Sequence, residues 1–579
     1  LHYYKLLIIF HKPFIIKKLE KNLCPPQNLL KTHRYWRLVE IIPGFCVWFT
    51  FFFLVFGAVY LPTFTADAII AYTLIWVFRT YLFSHNLVKA YHYSKRAAKT
   101  EWTKLLSYLE SPSRLKYAIE KGEFKFDPLI LEVKKGPLEP VLMSRIDHLI
   151  ESGQYLKPSD ITHCITLFVC REPYEVIKTS LDSYVKSNFD LKKVIFVLAY
   201  EEFNTEIPAI SKRLQAEYGH YFLDYLETCH PKNLPGEIPG RAANMNWSAK
   251  ELKKYLEQHN IAFSRLLLSS FDADTVVSPE LLNELTFRFC ITENRDEVGY
   301  QPVLFYNNNI WDVPVFNRLV AISASFWQLS VSIRKDENKS FSSRAMSFQS
   351  VIDFGFWDPL VVGDDSRQFW TAFFVYKGRH YLENIYNPVY MDAVLGSSYL
   401  STIKSQYKQL RRWAWGVCDF PFIAFNIVRI REIPFKRKVY EILHYLEGVY
   451  FWATGPVLLL FAGAVPGLIN RDFSTTVLSH NLPIMMSSLL NMASIGIIVC
   501  LVITTQIIPF ESQRKLGKKI SLFLQWLLIP LVSIFLSAIP AIDAQTRLML
   551  NMRLDFDSTQ KARKKISLSS SQTLSTDRQ

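Results

Sequence analysis

No two of the eight cysteines stand in a CxxC pair. They are scattered at 24, 46, 164, 170, 229, 290, 418 and 500, which argues against a structural zinc site or a disulfide scaffold. Residues 1–40 do not read as a secretory leader, because Lys, His and Pro break up their one apolar stretch. The central part of the chain lacks an excess of positive charge. The net charge is +14, yet residues 1–40 carry +6, residues 510–520 carry +3 and residues 543–579 another +3, so the remainder is nearly neutral. Nucleic-acid binding needs a basic face on a folded domain, and none is expected here. Disorder is excluded by a composition that is 50% apolar and 15% aromatic. A length of 579 residues exceeds one ordinary core and calls for at least two domains.

What is present in quantity is long uncharged apolar sequence. Ile41–Pro62 has no charge and is long enough to span a bilayer. Ala66–Phe83 follows, with Arg79 near its end, where its side chain can snorkel. Lys and Arg flank this pair on the outside but not in the link, so a helical hairpin with both ends in the cytoplasm is expected. Val449–Ile469, Pro483–Pro509 and Ser521–Ile542 are further apolar runs, the last interrupted by Pro530 and Pro540. Five full crossings would leave the basic tail outside. A re-entrant hairpin broken at Pro530 keeps it inside, and is the reading preferred here.

Between these runs the pattern changes. The sequence divides into 1–83, a basic N-terminus with a helix pair; 84–158, a helical connector near the membrane; 159–445, a soluble domain; and 446–579, C-terminal helices and a basic tail. From Ile161 apolar strands alternate with helices: ITLFV, VIKTSLDSYV and KVIFVLA, then NWSAKELKKYLEQH and RLLLSSF. That alternation predicts a parallel, doubly wound α/β domain.

Four places in this domain could carry chemistry. RLLLSSF runs into Asp272-Ala-Asp274; two residues apart on an extended chain, both carboxylates point the same way. Ligands of such sheets bind at the C-terminal ends of strands, where hard oxygens suit Mg²⁺ or Mn²⁺ on a diphosphate. The plainer alternative is a polar strand end before a helix capped by Ser278 and started at Pro279. In VVGDDSRQFW, Asp364 and Asp365 precede a helical pattern, as helix caps or as a general base for an acceptor hydroxyl. In YKQLRRWAWG, Gln409, Arg412, Trp413 and Gly416 share a helix face. Arg suits a diphosphate and Trp stacks on a sugar ring; an amphipathic interfacial helix is the alternative. In HPKNLPGEIPGRAANMNWS, Glu237, Arg241 and Asn244 stand where a loop turns into a helix and could approach a nucleotide.

The order G-R-A-A-N, D-A-D, G-D-D and Q-L-R-R-W, followed by apolar helices, resembles family 2 glycosyltransferases of the membrane-embedded cellulose, chitin and hyaluronan synthase group. The resemblance covers about 160–416 and the flanking helices. It implies an α/β GT-A domain on the cytoplasmic side of a multi-pass membrane protein, a nucleotide-sugar donor, UDP-linked above others, and a divalent metal. It assigns Asp272 to the nucleotide diphosphate and Asp274 to the metal. Asp365 falls on the catalytic base, Gln409, Arg412 and Trp413 on QxxRW, and Arg241 and Asn244 on the K-A-G-x-N stretch. The implied acceptor is a growing polysaccharide or a lipid-linked sugar, joined by a β-linkage. Transfer to a polyprenyl phosphate and a non-catalytic membrane binding protein are the alternatives. The chain departs from the family after its second strand, where KVIFVLAYEE offers Ala199 and Glu201–Glu202 in place of an Asp. After the first strand it reads REPYEV, and Gly363-Asp364-Asp365 replaces the family's TED.

Overall fold

The structure, a computed structural model, describes residues 35–123, 141–153, 155–508 and 516–554. Most of the basic N-terminus, residues 510–515 and most of the C-terminal tail lie outside the described residues. Chain order begins with two long helices, α1 (Trp36–Tyr60) and α2 (Pro62–Ala97), joined at Leu61. They are built inside out. Phe45, Trp48, Phe49, Phe52 and Phe56 are exposed, whereas Gly44, Gly57, Ala58 and Ala66 are buried. Small residues at the contacts let the helix backbones approach, as packing within lipid requires.

The central domain holds an eight-stranded sheet in the order β3-β2-β1-β4-β7-β6-β8-β5. Its strands are β1 (Thr162–Val169), β2 (Val194–Glu201), β3 (Asp224–His230), β4 (Leu266–Asp272), β5 (Val276–Val277), β6 (Val298–Phe305), β7 (Arg344–Ser347) and β8 (Tyr381–Tyr390). The expected parallel half is there: β1 pairs in parallel with β2 and β4, and β2 with β3. The sheet as a whole is mixed, not purely parallel, since β7 runs antiparallel between β4 and β6, and β5 antiparallel to β8. Near-continuous burial of VIFVLAYE in β2 shows why the parallel half forms, because its strands are covered on both faces.

The helices that matter for the site are α3 (Arg241–Gln258), α4 (Val315–Val331), α5 (Asp364–Val375) and α6 (Tyr399–Ala414). Pairing of β1 with β4 sets Phe168 beside Asp272, so the first and fourth strands end together. The chain turns into α3 and α5 at this same end of the sheet.

Five helical stretches are long and apolar enough to cross a membrane: Trp36–Tyr60, Pro62–Ala97, Phe435–Ile469, Val477–Ile507 and Ile520–Met549. The third begins with α7 (Phe435–Phe461). In the fifth, the expected reversal at Pro530 is not found. Pro530 occupies the first turn of a helical segment, where its missing N–H costs nothing. The path continues through Ile534–Ala538, where Leu536 departs from helical geometry (φ −116°, ψ 19°). Both ends of this stretch are tied to the sheet domain. Arg318 on α4 donates to Gln525 and Ser521, while Tyr407 and Arg411 on α6 donate to Asp543.

Candidate active site

Asp272 is the last residue of β4, and the Thr275 N–H donates to its carbonyl at 2.9 Å to close a turn. The chain is therefore not extended through D-A-D, and the turn rather than strand alternation sets the two carboxylates. Asp272 is partly exposed, whereas Asp274 is wholly buried. The Asp274 carboxylate accepts from the backbone N–H of Asp392 at 2.8 Å, and its carbonyl accepts from Asn308. The following helix, Leu281–Ile291, starts beyond Ser278 and Pro279, with Glu280 at its N-cap.

Arg241, the first residue of α3, joins three of the expected carboxylates. Its Nη2 lies 3.2 Å from Asp272 Oδ1, and its Nη1 lies 3.1 Å from Asp364 Oδ2 and 3.3 Å from Asp365 Oδ1. Its guanidinium also stands over the Phe168 ring at 5.6 Å. Burial opposes the charge on Arg241, but Asp272, Asp364 and Asp274 outweigh it and raise its pKa. Asp364 and Asp365 occupy the first turn of α5, where anions are favoured by the helix dipole.

Arg412 on α6 is partly buried and close enough to feel Asp272 and Asp364; burial lowers its pKa. Trp413 packs against Tyr306 with ring centroids 6.0 Å apart, and Tyr306 in turn neighbours Arg241 and Arg412. Gln409 is not drawn into the carboxylate group; it accepts from Gln406 at 2.9 Å, and Gln406 accepts from Asn317 on α4. Asn244 lies one turn into α3, buried, with no hydrogen-bond partner for its Oδ1 among the described residues. Glu237 turns away from the carboxylates to His230, whose other ring nitrogen meets Glu201; the distances are 2.9 and 2.8 Å.

Two site residues escaped the sequence reading. Arg344, at the start of β7, is fully buried; its Nη1 is bonded to Asp365 and its Nη2 is 3.8 Å from Asp364 Oδ2. Burial pushes its pKa down to about 10. Its Nε and Nη2 make no hydrogen bond among the described residues, and neither does Arg241 Nε, whereas Arg241 Nη2 is ion-paired with Asp272. Ser342 donates to Asp272 Oδ2 at 2.8 Å. The signal for both was FSSR, a short polar segment in a loop that leads to Asp364. The site thus presents guanidinium N–H groups without acceptors beside a row of carboxylates, an arrangement suited to a phosphate-bearing ligand with a cation.

Among the described residues, no three His, Cys, Asp or Glu side chains gather as a metal cage. Two carboxylates on one turn instead fit a Mg²⁺ or Mn²⁺ whose shell is completed by phosphate oxygens and water, the usual arrangement for such ions.

No protein-family model matches the chain, and no curated protein matches it. Among solved structures it is similar to the mannosyltransferase PcManGT from Pyrobaculum calidifontis in complex with GDP-Man and Mn²⁺, at 14% identity and a TM-score of 0.38. That likeness covers 77% of this chain and 100% of the other. A second is GalNAc-T7 with UDP, GalNAc and Mn²⁺, at 10% identity and a TM-score of 0.28, covering 51% of this chain and 57% of that one. At this level of likeness, the chemistry has to come from the side chains of the chain itself.

Proposed function

We propose that the chain is an inverting, membrane-embedded glycosyltransferase that moves a sugar from a nucleotide-sugar, UDP-linked above others, to a growing polysaccharide or lipid-linked acceptor. The observation that carries this reading is the convergence on Arg241 of Asp272 from the D-A-D turn and of Asp364 and Asp365 from the G-D-D turn. Arg412 of Q-L-R-R-W stands beside them. Four motifs far apart in sequence, counting the G-R-A-A-N that supplies Arg241, meet at one end of the sheet.

In this mechanism Arg241 and Arg412 bind the donor diphosphate, with Arg344 and Asn244 as further donor contacts. Asp272 and Asp274 would hold Mg²⁺ or Mn²⁺, which would supply positive charge to offset that of the diphosphate. An acceptor hydroxyl loses its proton to Asp365 and attacks the anomeric carbon from the side opposite the diphosphate. The C–O bond to phosphate breaks with its electron pair, and the configuration inverts. In the ligand-free site Asp365 is held by Arg241 and Arg344, so diphosphate binding must draw those cations away before the base can act. Trp413, with Tyr306, would form a wall for the acceptor sugar.

The membrane arrangement supported best is four crossings, with both ends of the Ile520–Met549 stretch held at the sheet domain and its middle packed on α7. The span from Gln525 to Asp543 is about 27 Å of helix, close to a full bilayer core, so a true crossing could not leave both ends on one domain. That keeps the sheet domain and the basic tail together, on the cytoplasmic side. Donor binding is the direct check: titration calorimetry with UDP and GDP in Mn²⁺ should show binding to the wild type and a loss of at least about tenfold in Arg241→Ala. Equal affinity in the variant would dismiss the site.

A further inference from the structure

Arg318 is a buried cation that the proposed reaction does not use. It lies on α4, only 4% exposed, at the boundary between the sheet domain and the last apolar stretch. Its Nε donates to Gln525 Oε1 at 2.8 Å and its Nη2 to Ser521 Oγ at 3.2 Å, both neutral groups. Among the described residues no carboxylate pairs with it, and its Nη1 makes no hydrogen bond. Burial alone lowers its pKa. A buried charge without a counter-charge is costly, so such a residue points to an anion.

A second observation stands beside it. Gln525 is 2% exposed, its Oε1 is taken by Arg318, and its Nε2 has no acceptor among the described residues. The next residue, Trp526, is also buried, its indole N–H without an acceptor and its ring stacked on Phe326 of α4. A guanidinium and an amide that are already bonded to each other therefore both retain unused donors. A group that offers only acceptor oxygens satisfies both.

We propose that Arg318 and Gln525 bind the phosphate of an anionic phospholipid headgroup. The lipid source, over free phosphate, follows from the surroundings. Ile520, Phe523, Leu524 and Leu527 of the same stretch are exposed and apolar, a surface for acyl chains beside the phosphate. In sequence, Arg514, Lys515, Lys518 and Lys519 lead into this stretch, with Glu511 the one acid near them. Basic residues at the end of an apolar segment attract anionic lipid, at about 1 kcal/mol or roughly fivefold each. The site ties α4, and through the Asn317–Gln406 hydrogen bond the QxxRW helix, to the lipid surface.

The test uses the full chain in nanodiscs of phosphatidylcholine alone and of phosphatidylcholine with phosphatidylglycerol. Hydrogen exchange of wild-type residues 315–322 and 521–528 should be slower with phosphatidylglycerol. Millimolar inorganic phosphate in detergent should not reproduce that protection. Arg318→Gln should lose at least about fivefold in phosphatidylglycerol affinity, and Arg318→Lys should keep more of it. Equal exchange in both lipids, or undiminished affinity in Arg318→Gln, would overturn the proposal; equal protection by free phosphate would overturn the lipid assignment. The inference rests on the membrane reading, which fails separately if alkaline carbonate strips the chain from membranes.

Discussion

Asp365 carries the sharpest expectation at the scale of single residues. Replacing it with Asn keeps the shape but removes the proton acceptor. Transfer should then fall by at least about a hundredfold while donor binding persists, measured as product formation beside calorimetry. A transfer rate like that of the wild type would move the role to Asp364 or reduce both residues to a helix start. FSSR marks Arg344 only as part of a polar loop, because one Arg in a four-residue strand leaves no periodic pattern; the fold brings it to Asp365. The D-A-D reading assumes an extended chain, whereas the chain turns directly after Asp272. The turn after Asp272, not strand alternation, sets the two carboxylates, and it sends Asp274 inward to the Asp392 N–H.

Among elements, β1, β2 and β4 could be read to within a few residues because they are continuous apolar runs buried on both faces. β8 could not, since Glu383, Asn384 and Asn387 break its apolar pattern while being wholly buried. Glu383 is matched by Arg145, Arg288 and Lys335, partners that come from distant parts of the chain. Element-level coupling gives two predictions. Asp543, from the last apolar stretch, receives hydrogen bonds from Tyr407 and Arg411 on α6, beside Arg412. Asp543→Asn and Arg411→Gln should each slow transfer, and the double variant should be no worse than either alone. Additive losses would mean that the two do not act as a pair.

The loop entering α3 provides the second. His230 at the end of β3 faces Glu201 of β2 through one ring nitrogen and Glu237 of the loop through the other, with Trp247 of α3 against its ring. Burial opposes its charge, yet the two carboxylates prevail and raise its pKa above 6.5. A raised histidine stabilises fully below the ordinary value, and that contribution is lost as pH rises through the folded value. Since this loop leads straight into Arg241, donor affinity should decline over that alkaline range, and His230→Gln should flatten the decline. An identical pH profile in the variant would separate the His230 contact from the site.

For the molecule as a whole, the proposed four-crossing topology is open to direct labelling. In a chain freed of reactive native cysteines, Cys introduced at Thr63 and Thr475 should label from outside, and Cys at Glu120 and Met552 from the cytoplasm. Outside labelling at Met552 would mean that the last stretch crosses. The apolar runs were legible because length and lack of charge suffice to mark them. The course of the last one was not, because it depends on contacts with α4 and α6. The central claim is that the carboxylates and arginines gathered around Arg241 turn over a nucleotide-sugar. Its most direct test is nucleotide release by the purified full chain from a panel of UDP- and GDP-sugars in Mn²⁺. The account predicts release from at least one donor, abolished by EDTA and by Asp274→Asn; absence of release from every donor, or release unchanged by both treatments, would contradict it.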